Sequence, residues 1–205
     1  MFTGADHDFM AHAFRLAEKG LYTTTPNPRV GCVIVKNERI IARGWHEKAG
    51  LPHAEINALN EARGAANGAT VYVTLEPCSH YGLTPPCTNA LIEAGVAKVI
   101  MAKEDPNPLV AGQGKKILEQ AGIIVQSGLM EAQAQALNRG FIVRMTRKRP
   151  WVRVKIAASM DGKTALHNGA SQWITSEAAR KDGHHWRAQS CAILTGIGTV
   201  KADNP

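Results

Sequence analysis

Three short stretches carry residue types that do chemistry together. His53-Ala54-Glu55 sets an imidazole two residues before a carboxyl, and Pro77-Cys78-Ser79-His80 is followed, after Tyr81 to Pro86, by Cys87. Neutral imidazole and thiolate are donors that zinc prefers, and a catalytic zinc keeps three protein ligands and one open position for water. His53, Cys78 and Cys87 supply that set. Two thiolates cancel the formal charge of the dication, yet the metal still lowers the pKa of a bound water toward neutrality. Glu55, outside the ligand set, is placed to shuttle protons, so the stretches together describe a hydrolytic site. Singly, each is weak. His and Glu are frequent at helix starts, and two cysteines with eight residues between them serve equally as buried thiols or an adventitious disulfide pair. A rival arrangement recruits His80 as a fourth ligand and closes the metal into a structural site. Glu55 speaks against it, because structural zinc has no use for a carboxylate beside it. Cys32 and Cys191 lie in apolar, strand-like runs and read as core thiols.

The elements that must position these residues follow from the apolar pattern. Phe9, Met10, Ala13, Phe14, Leu16 and Ala17 recur at helical spacing over 8–19, with Gly20 as a stop. Residues 30–35 and 39–42 read as two strands of a hairpin joined by Lys36-Asn37-Glu38. A helix over 54–62, a strand over 71–75 and a helix over 88–94 closed by Gly95 come next. Then follow a strand over 96–102, a helix over 115–121, a strand over 123–126 and a helix over 131–138. His53 and Cys87 therefore stand just before helices, where exposed N–H groups and the helix dipole favour a thiolate at the cysteine. Strands alternating with helices predict a layered α/β domain over 1–146 with a mixed sheet, ending where charges and Pro150 interrupt the pattern. A second α/β unit starts at 150, with strands over 151–156 and 191–194 and a helix over 177–188. It is short for a closed core and reads as the beginning of a larger domain.

Composition bounds the class. With 44% hydrophobic and 20% charged residues among 205, a disordered or fibrous chain is excluded. No apolar run is long enough to span a bilayer and the first residues have no signal-peptide pattern, so the expectation is a cytoplasmic protein without membrane partners. Four cysteines are too sparse for a disulfide scaffold. The net charge of +7 lies wholly after Gly140: residues 1–140 balance 13 basic against 13 acidic side chains, whereas 141–205 hold 11 against 4. A basic field attracts phosphates, while Arg144, Arg147, Lys148 and Arg149 serve equally as a solvated linker.

The joint pattern, His-x-Glu followed by Pro-Cys and a second Cys, resembles the zinc deaminase signature, in which the Glu is general acid/base and not a ligand. The wide cysteine spacing, Glu76-Pro77-Cys78-Ser79-His80 through Thr84-Pro85-Pro86-Cys87, is preceded by Thr25-Pro26-Asn27-Pro28-Arg29-Val30-Gly31. Together these are similar to the bifunctional deaminase-reductase family of riboflavin biosynthesis. Lys155 to Thr164, Ser171-Gln172-Trp173-Ile174-Thr175 and Ala202-Asp203-Asn204-Pro205 resemble the opening of that family's reductase domain.

The resemblance implies a cytidine-deaminase-like layered N-terminal domain and the start of a dihydrofolate-reductase-like α/β domain. It implies zinc-dependent hydrolytic deamination of diaminohydroxyphosphoribosylaminopyrimidine to an aminouracil, then NADPH-dependent reduction of the ribosyl group to ribityl. It assigns His53, Cys78 and Cys87 to zinc, Glu55 to proton transfer, and Asn27, His46 and His80 to the pyrimidine pocket. In the second domain it places Ala157, Trp173, Thr199 and Asp203 near NADPH, Ser171 and Arg187 near the phosphoribosyl group, and Lys155 at the reacting sugar. For these the alternatives are a core Trp173, a solvated Arg187 and a Lys155 that points to water. Gly196-Ile197-Gly198-Thr199-Val200-Lys201 lacks the third glycine of the dinucleotide fingerprint, so a Rossmann site is not expected. At Leu83 the resemblance leads us to expect a basic residue for substrate phosphate, and the sequence has none. The expected partner is a small phosphoribosyl pyrimidine, with no nucleic acid, and the expected assembly is a homo-oligomer. Two other functions share some of these residues. A nucleoside or RNA deaminase needs a basic or aromatic strand-binding surface, which the net-zero first segment disfavours. A non-enzymatic zinc module would use His80 as fourth ligand and the basic tail to hold nucleic acid.

Overall fold

Asn37 and Glu38 both take positive φ, 50° and 58°, the geometry of a two-residue hairpin turn whose twist matches its strands. In the computed structural model, which describes residues 1–82, 85–107 and 111–204 with the side chain of Asp203 excepted, this turn joins β1 (Gly31–Lys36) to β2 (Arg39–Trp45). Ahead of it lies α1 (Gly4–Glu18), and after it come α2 (Ala54–Ala62), β3 (Thr70–Val73), α3 (Cys87–Glu93), β4 (Lys98–Met101), α4 (Gln113–Gln120), β5 (Ile124–Ser127) and α5 (Glu131–Leu137). Among the described residues the sheet has five strands in the order β2-β1-β3-β4-β5. β1 pairs antiparallel with β2 and β3, while β3, β4 and β5 run parallel. The sheet is therefore mixed, as the alternation of elements predicts.

Both faces are covered. Cys32 and Ile34 of β1, Val71 and Val73 of β3, and Val99 and Met101 of β4 pack with Ala54, Ala58, Leu91 and Leu118 from α2, α3 and α4. Val33, Val35, Tyr72 and Ile100 point the other way, to Met10, Ala13 and Phe14 of α1 and Ala134 of α5. Strands buried on both faces read as continuous apolar runs. That is why β3 and β4 show no clean alternation in the sequence.

α1 starts at Gly4, not Asp8, because Thr3 and Asp6 form a reciprocal capping box: Thr3 Oγ1 accepts the Asp6 amide at 3.1 Å and Asp6 Oδ2 accepts the Thr3 amide at 2.8 Å. α2 lies unusually close to its strand. A Cβ built on Gly44 would come within 2.2 Å of the Ala54 carbonyl oxygen and 2.4 Å of the Ala58 amide nitrogen. Gly44→Ala is therefore expected to destabilise the fold by roughly 1–3 kcal/mol and, by lifting the helix that follows His53, to reduce retained zinc. A thermal melt beside a metal assay checks this; an unchanged melting temperature contradicts the close packing.

Three expectations need correcting. The stretch read as a charged linker from Arg144 continues α6 (Arg139–Arg147), since the Asn138 carbonyl accepts the Ile142 amide and the chain stops only at Lys148 in the left-handed conformation. The strands expected over 151–156 and 191–194 are absent among the described residues. Alternation makes a strand only where a partner edge accepts its hydrogen bonds, and neither run meets one. Cys191 is accordingly exposed, while Cys32 is buried in β1 as expected. The chain divides into two units, residues 1–151 and 152–205. The second contains α7 (Glu177–Ala188) as predicted, and α8 (Ile197–Asp203). Among the described residues no helix is long and apolar enough to cross a membrane.

Candidate metal centre and catalytic site

Two helix starts and one loop bring the donors together. His53 is the N-cap of α2 but makes no capping bond with its side chain, which turns instead to the cysteines. Cys87 opens α3 behind Pro86, and Cys78 lies in the loop leaving β3, tied down by the Thr88 amide donating to its carbonyl at 3.2 Å. His53 Nδ1 lies 3.4 Å from Cys78 Sγ and 3.3 Å from Cys87 Sγ, and all three donor atoms fall within 4.8 Å of one another. A tetrahedral zinc with ordinary Zn–N and Zn–S bonds sets such donors about 3.6 Å apart, so the donor set fits the ion. His80 does not join this group and is exposed. The ligand set is the open, three-residue one, and the closed site built with His80 is not formed among the described residues.

Charge is divided unevenly between the sulfurs. Cys78 is pulled down to about 4, first by the hydrogen bond from the Cys87 thiol, then against burial by the bond to His53 and by the Cys87 amide, which donates at 3.3 Å. Cys87, the donor and itself buried, is pushed up. The bond to Cys78 raises His53 in spite of burial. Glu55, in the first turn of α2 and 3% exposed, is raised to about 7 by burial and then by the Cys78 charge. A carboxyl that titrates near neutral pH is poised to take and return a proton.

Asn27 and His46 adjoin this cluster. His46, 3% exposed, has Nδ1 3.1 Å from the Pro52 carbonyl and Nε2 3.1 Å from Asn27 Nδ2, and its ring stands edge-on to His53 with centroids 5.3 Å apart. A carbonyl only accepts, so Nδ1 carries the proton and Nε2 accepts from Asn27. Burial lowers the His46 pKa in agreement with a neutral ring. The loop bearing Asn27 is braced from both sides. Arg144 Nη2 donates to the Pro26 carbonyl at 2.9 Å. Asn138, 1% exposed, spans the Arg29 backbone, accepting its amide at 2.8 Å and donating to its carbonyl at 2.9 Å. Neither partnership was visible in the sequence, where Asn138 closes one helical run and Arg144 opens a charged one. Leu83, where a basic residue was expected, and Thr84 lie outside the described residues.

The second unit presents its residues differently. Lys155, Ser171, Trp173, Arg187 and Thr199 are exposed and Ala157 is half-buried; the side chain of Asp203 lies outside the described residues. Trp173 is thus not a core residue, and Arg180 stacks over its ring at 4.3 Å. Lys155 runs past Gly183 of α7, Arg153 lies over Trp186 at 3.7 Å, and Arg187 Nη1 is 3.2 Å from His184 Nδ1. The exposed indole of Trp173 and the exposed cations of Lys155 and Arg187 are of the chemistry that a dinucleotide's rings and phosphates take.

Comparison with known proteins agrees with the two-part reading. Residues 3–103 match the cytidine and deoxycytidylate deaminase zinc-binding region, and residues 150–205 the RibD C-terminal domain. The chain is 56% identical over 200 residues to the riboflavin biosynthesis protein RibD of Escherichia coli K12, covering 98% of this chain and 54% of that one. It superposes on form 1 of Acinetobacter baumannii RibD with TM-score 0.93 at 56% identity, over 98% of this chain and 56% of the other. A Thermotoga maritima diaminohydroxyphosphoribosylaminopyrimidine deaminase/5-amino-6-(5-phosphoribosylamino)uracil reductase matches with TM-score 0.92 at 46% identity, over 98% and 58%. The chain spans about half the length of the relatives it matches.

Proposed function

This chain belongs to the RibD family of riboflavin-biosynthesis deaminase/reductases, and on that premise we propose that its first unit hydrolytically deaminates diaminohydroxyphosphoribosylaminopyrimidine. The observation that carries this reading is the three-donor cluster of His53, Cys78 and Cys87 with the buried carboxyl of Glu55 beside it. His53, Cys78 and Cys87 would hold zinc, which would supply the activation of water at neutral pH. Glu55 takes a proton from the water and delivers it to the departing nitrogen, so that ring C–NH2 and water become the oxygenated ring and ammonia. Asn27 and His46 orient the pyrimidine, and His80 contacts it from the exposed side. We place the deaminase domain at 1–146 and the beginning of the reductase at 150.

The second part of the reading is NADPH-dependent reduction of the ribosyl group, supported by the match of residues 150–205. It assigns Ala157, Trp173, Thr199 and Asp203 to NADPH, Ser171 and Arg187 to the phosphoribosyl group and Lys155 to the sugar; a guanidinium such as Arg187 suits phosphate by paired, charge-assisted bonds. A cytoplasmic setting keeps the zinc thiolates reduced. A homo-oligomer completes the proposal, with Ile124, 62% exposed on edge strand β5, as the kind of apolar edge a second copy covers. Ammonia release from the phosphoribosyl diaminopyrimidine, with cytidine in parallel, tests the substrate class. Release from cytidine alone contradicts it.

A further inference from the structure

Glu76 is 5% exposed in the loop that leaves β3, three residues past Val73 and two before Cys78, and the chemistry above makes no use of it. Its carboxylate nevertheless collects three backbone donors from a segment far along the chain. Oε2 accepts the Asp105 amide at 2.9 Å and the Gly112 amide at 3.0 Å, and Oε1 accepts the Lys115 amide at 3.1 Å. Its own amide donates to the Lys103 carbonyl at 2.9 Å. Gly112 is the N-cap of α4 and, having no side chain, cannot cap the helix itself. The Glu76 carboxylate does this from another element, where negative charge is favoured by the helix dipole. The fit leaves no slack: a Cβ on Gly114 would lie 2.2 Å from the Pro77 carbonyl oxygen and 3.1 Å from Glu76 Oε1.

What the strap holds is a segment packed against Pro77, the residue next to Cys78. Asp105 accepts the Asn107 amide at 2.8 Å in a tight turn and is half-buried. Burial raises its carboxyl, and it lies near enough to Glu76, His80 and Cys78 to feel their charges. Lys115 closes the same segment from outside, 3.6 Å from Glu104. On either side of Pro77, Cys78 thus serves the metal and Glu76 serves the rim.

We propose that Glu76 is a positioning residue of the deaminase site, its carboxylate strapping the rim around Asp105 and the start of α4 to the loop that carries Cys78. The proposal rests on the deaminase reading for its effect on turnover, and on the hydrogen bonds alone for the strap. It also implies that the start of α4 is no anion site, since a carboxylate of the chain already fills it.

The test compares zinc-loaded full chains of wild type, Glu76→Gln and Glu76→Asp by amide hydrogen exchange and by steady-state deamination. Glutamine keeps one acceptor oxygen but turns an NH2 toward the amide or amides on the other side, and aspartate keeps the charge but is one methylene too short. The Asp105, Gly112 and Lys115 amides in Glu76→Asp, and at least one of them in Glu76→Gln, should exchange about tenfold faster or more, while amides of α2 stay protected and zinc stays at one per chain. KM should rise about tenfold with kcat within about threefold, since the rim and not the proton shuttle is displaced. Unchanged exchange at the three amides overturns the strap. A lowered melting temperature with unchanged KM overturns the positioning role and leaves a purely structural one, and loss of zinc reassigns Glu76 to the metal centre. A wild-type chain that releases no ammonia refutes the deaminase reading instead, and the exchange data then decide the strap by themselves.

Discussion

Replacing Glu55 with glutamine is expected to lower deamination about 10²–10⁴-fold, the usual contribution of a positioned general acid/base, equivalent to roughly 3–5 kcal/mol of barrier, while zinc content stays at one per chain. The two halves of this result come from different features. Glu55 is 3% exposed and raised to about 7, so it is suited to exchange a proton with reacting groups near neutral pH, as glutamine of nearly the same shape is not. It is not one of the three metal donors, so the metal remains. Product formation measured by mass, beside metal analysis of the same preparation, reads both. Turnover within a few-fold of wild type removes Glu55 from the mechanism.

Removing the metal should have an effect at least as large. Chelated protein is expected to lose deamination to the background and to recover it on adding zinc, and Cys87→Ser should neither retain zinc nor recover. A lost ligand should weaken zinc binding by more than the roughly 10–100-fold that follows loss of a partner merely hydrogen-bonded to a ligand. Affinity should also depend on pH in a definite direction. In the metal-free cluster Cys78 is already the thiolate near neutral pH, whereas Cys87 keeps its proton. Zinc must displace that proton, so binding weakens as pH falls, by about tenfold per pH unit for each proton released. Titration with zinc at several pH values checks the slope. The same assay on His80→Ala should find zinc retained; loss of zinc there would restore the closed, four-ligand site.

The metal cluster was legible because its parts sit at helix starts that the apolar spacing marks clearly. α2 runs from Ala54 to Ala62 as its spacing predicts, which puts His53 and Glu55 at its beginning, and α3 likewise begins at Cys87. What escaped was polar and long-range. Asn138 binds Arg29 across more than a hundred residues, and Glu76 binds Asp105, Gly112 and Lys115. No periodicity encodes such pairings, although an acid buried just past the end of an apolar strand is a signal that its carboxylate must be satisfied somewhere. The alternation of Trp151 to Ile156 misled for a related reason: it specifies which faces a strand would show, and not that an edge is there to receive it. Arg144 misled because one side chain can serve both as part of a charged run and as a hydrogen-bond donor that holds the Asn27 loop.

In the proposed reaction this zinc cluster replaces a ring amino group of a phosphoribosyl diaminopyrimidine with oxygen from water. Its most direct test is one incubation of the zinc-loaded chain with that pyrimidine in water labelled with heavy oxygen, followed by product mass and ammonia release. One ammonia per product and one heavy oxygen on the pyrimidine ring are expected, and neither in the chelated protein. Bound zinc with no ammonia released and no label incorporated would contradict it.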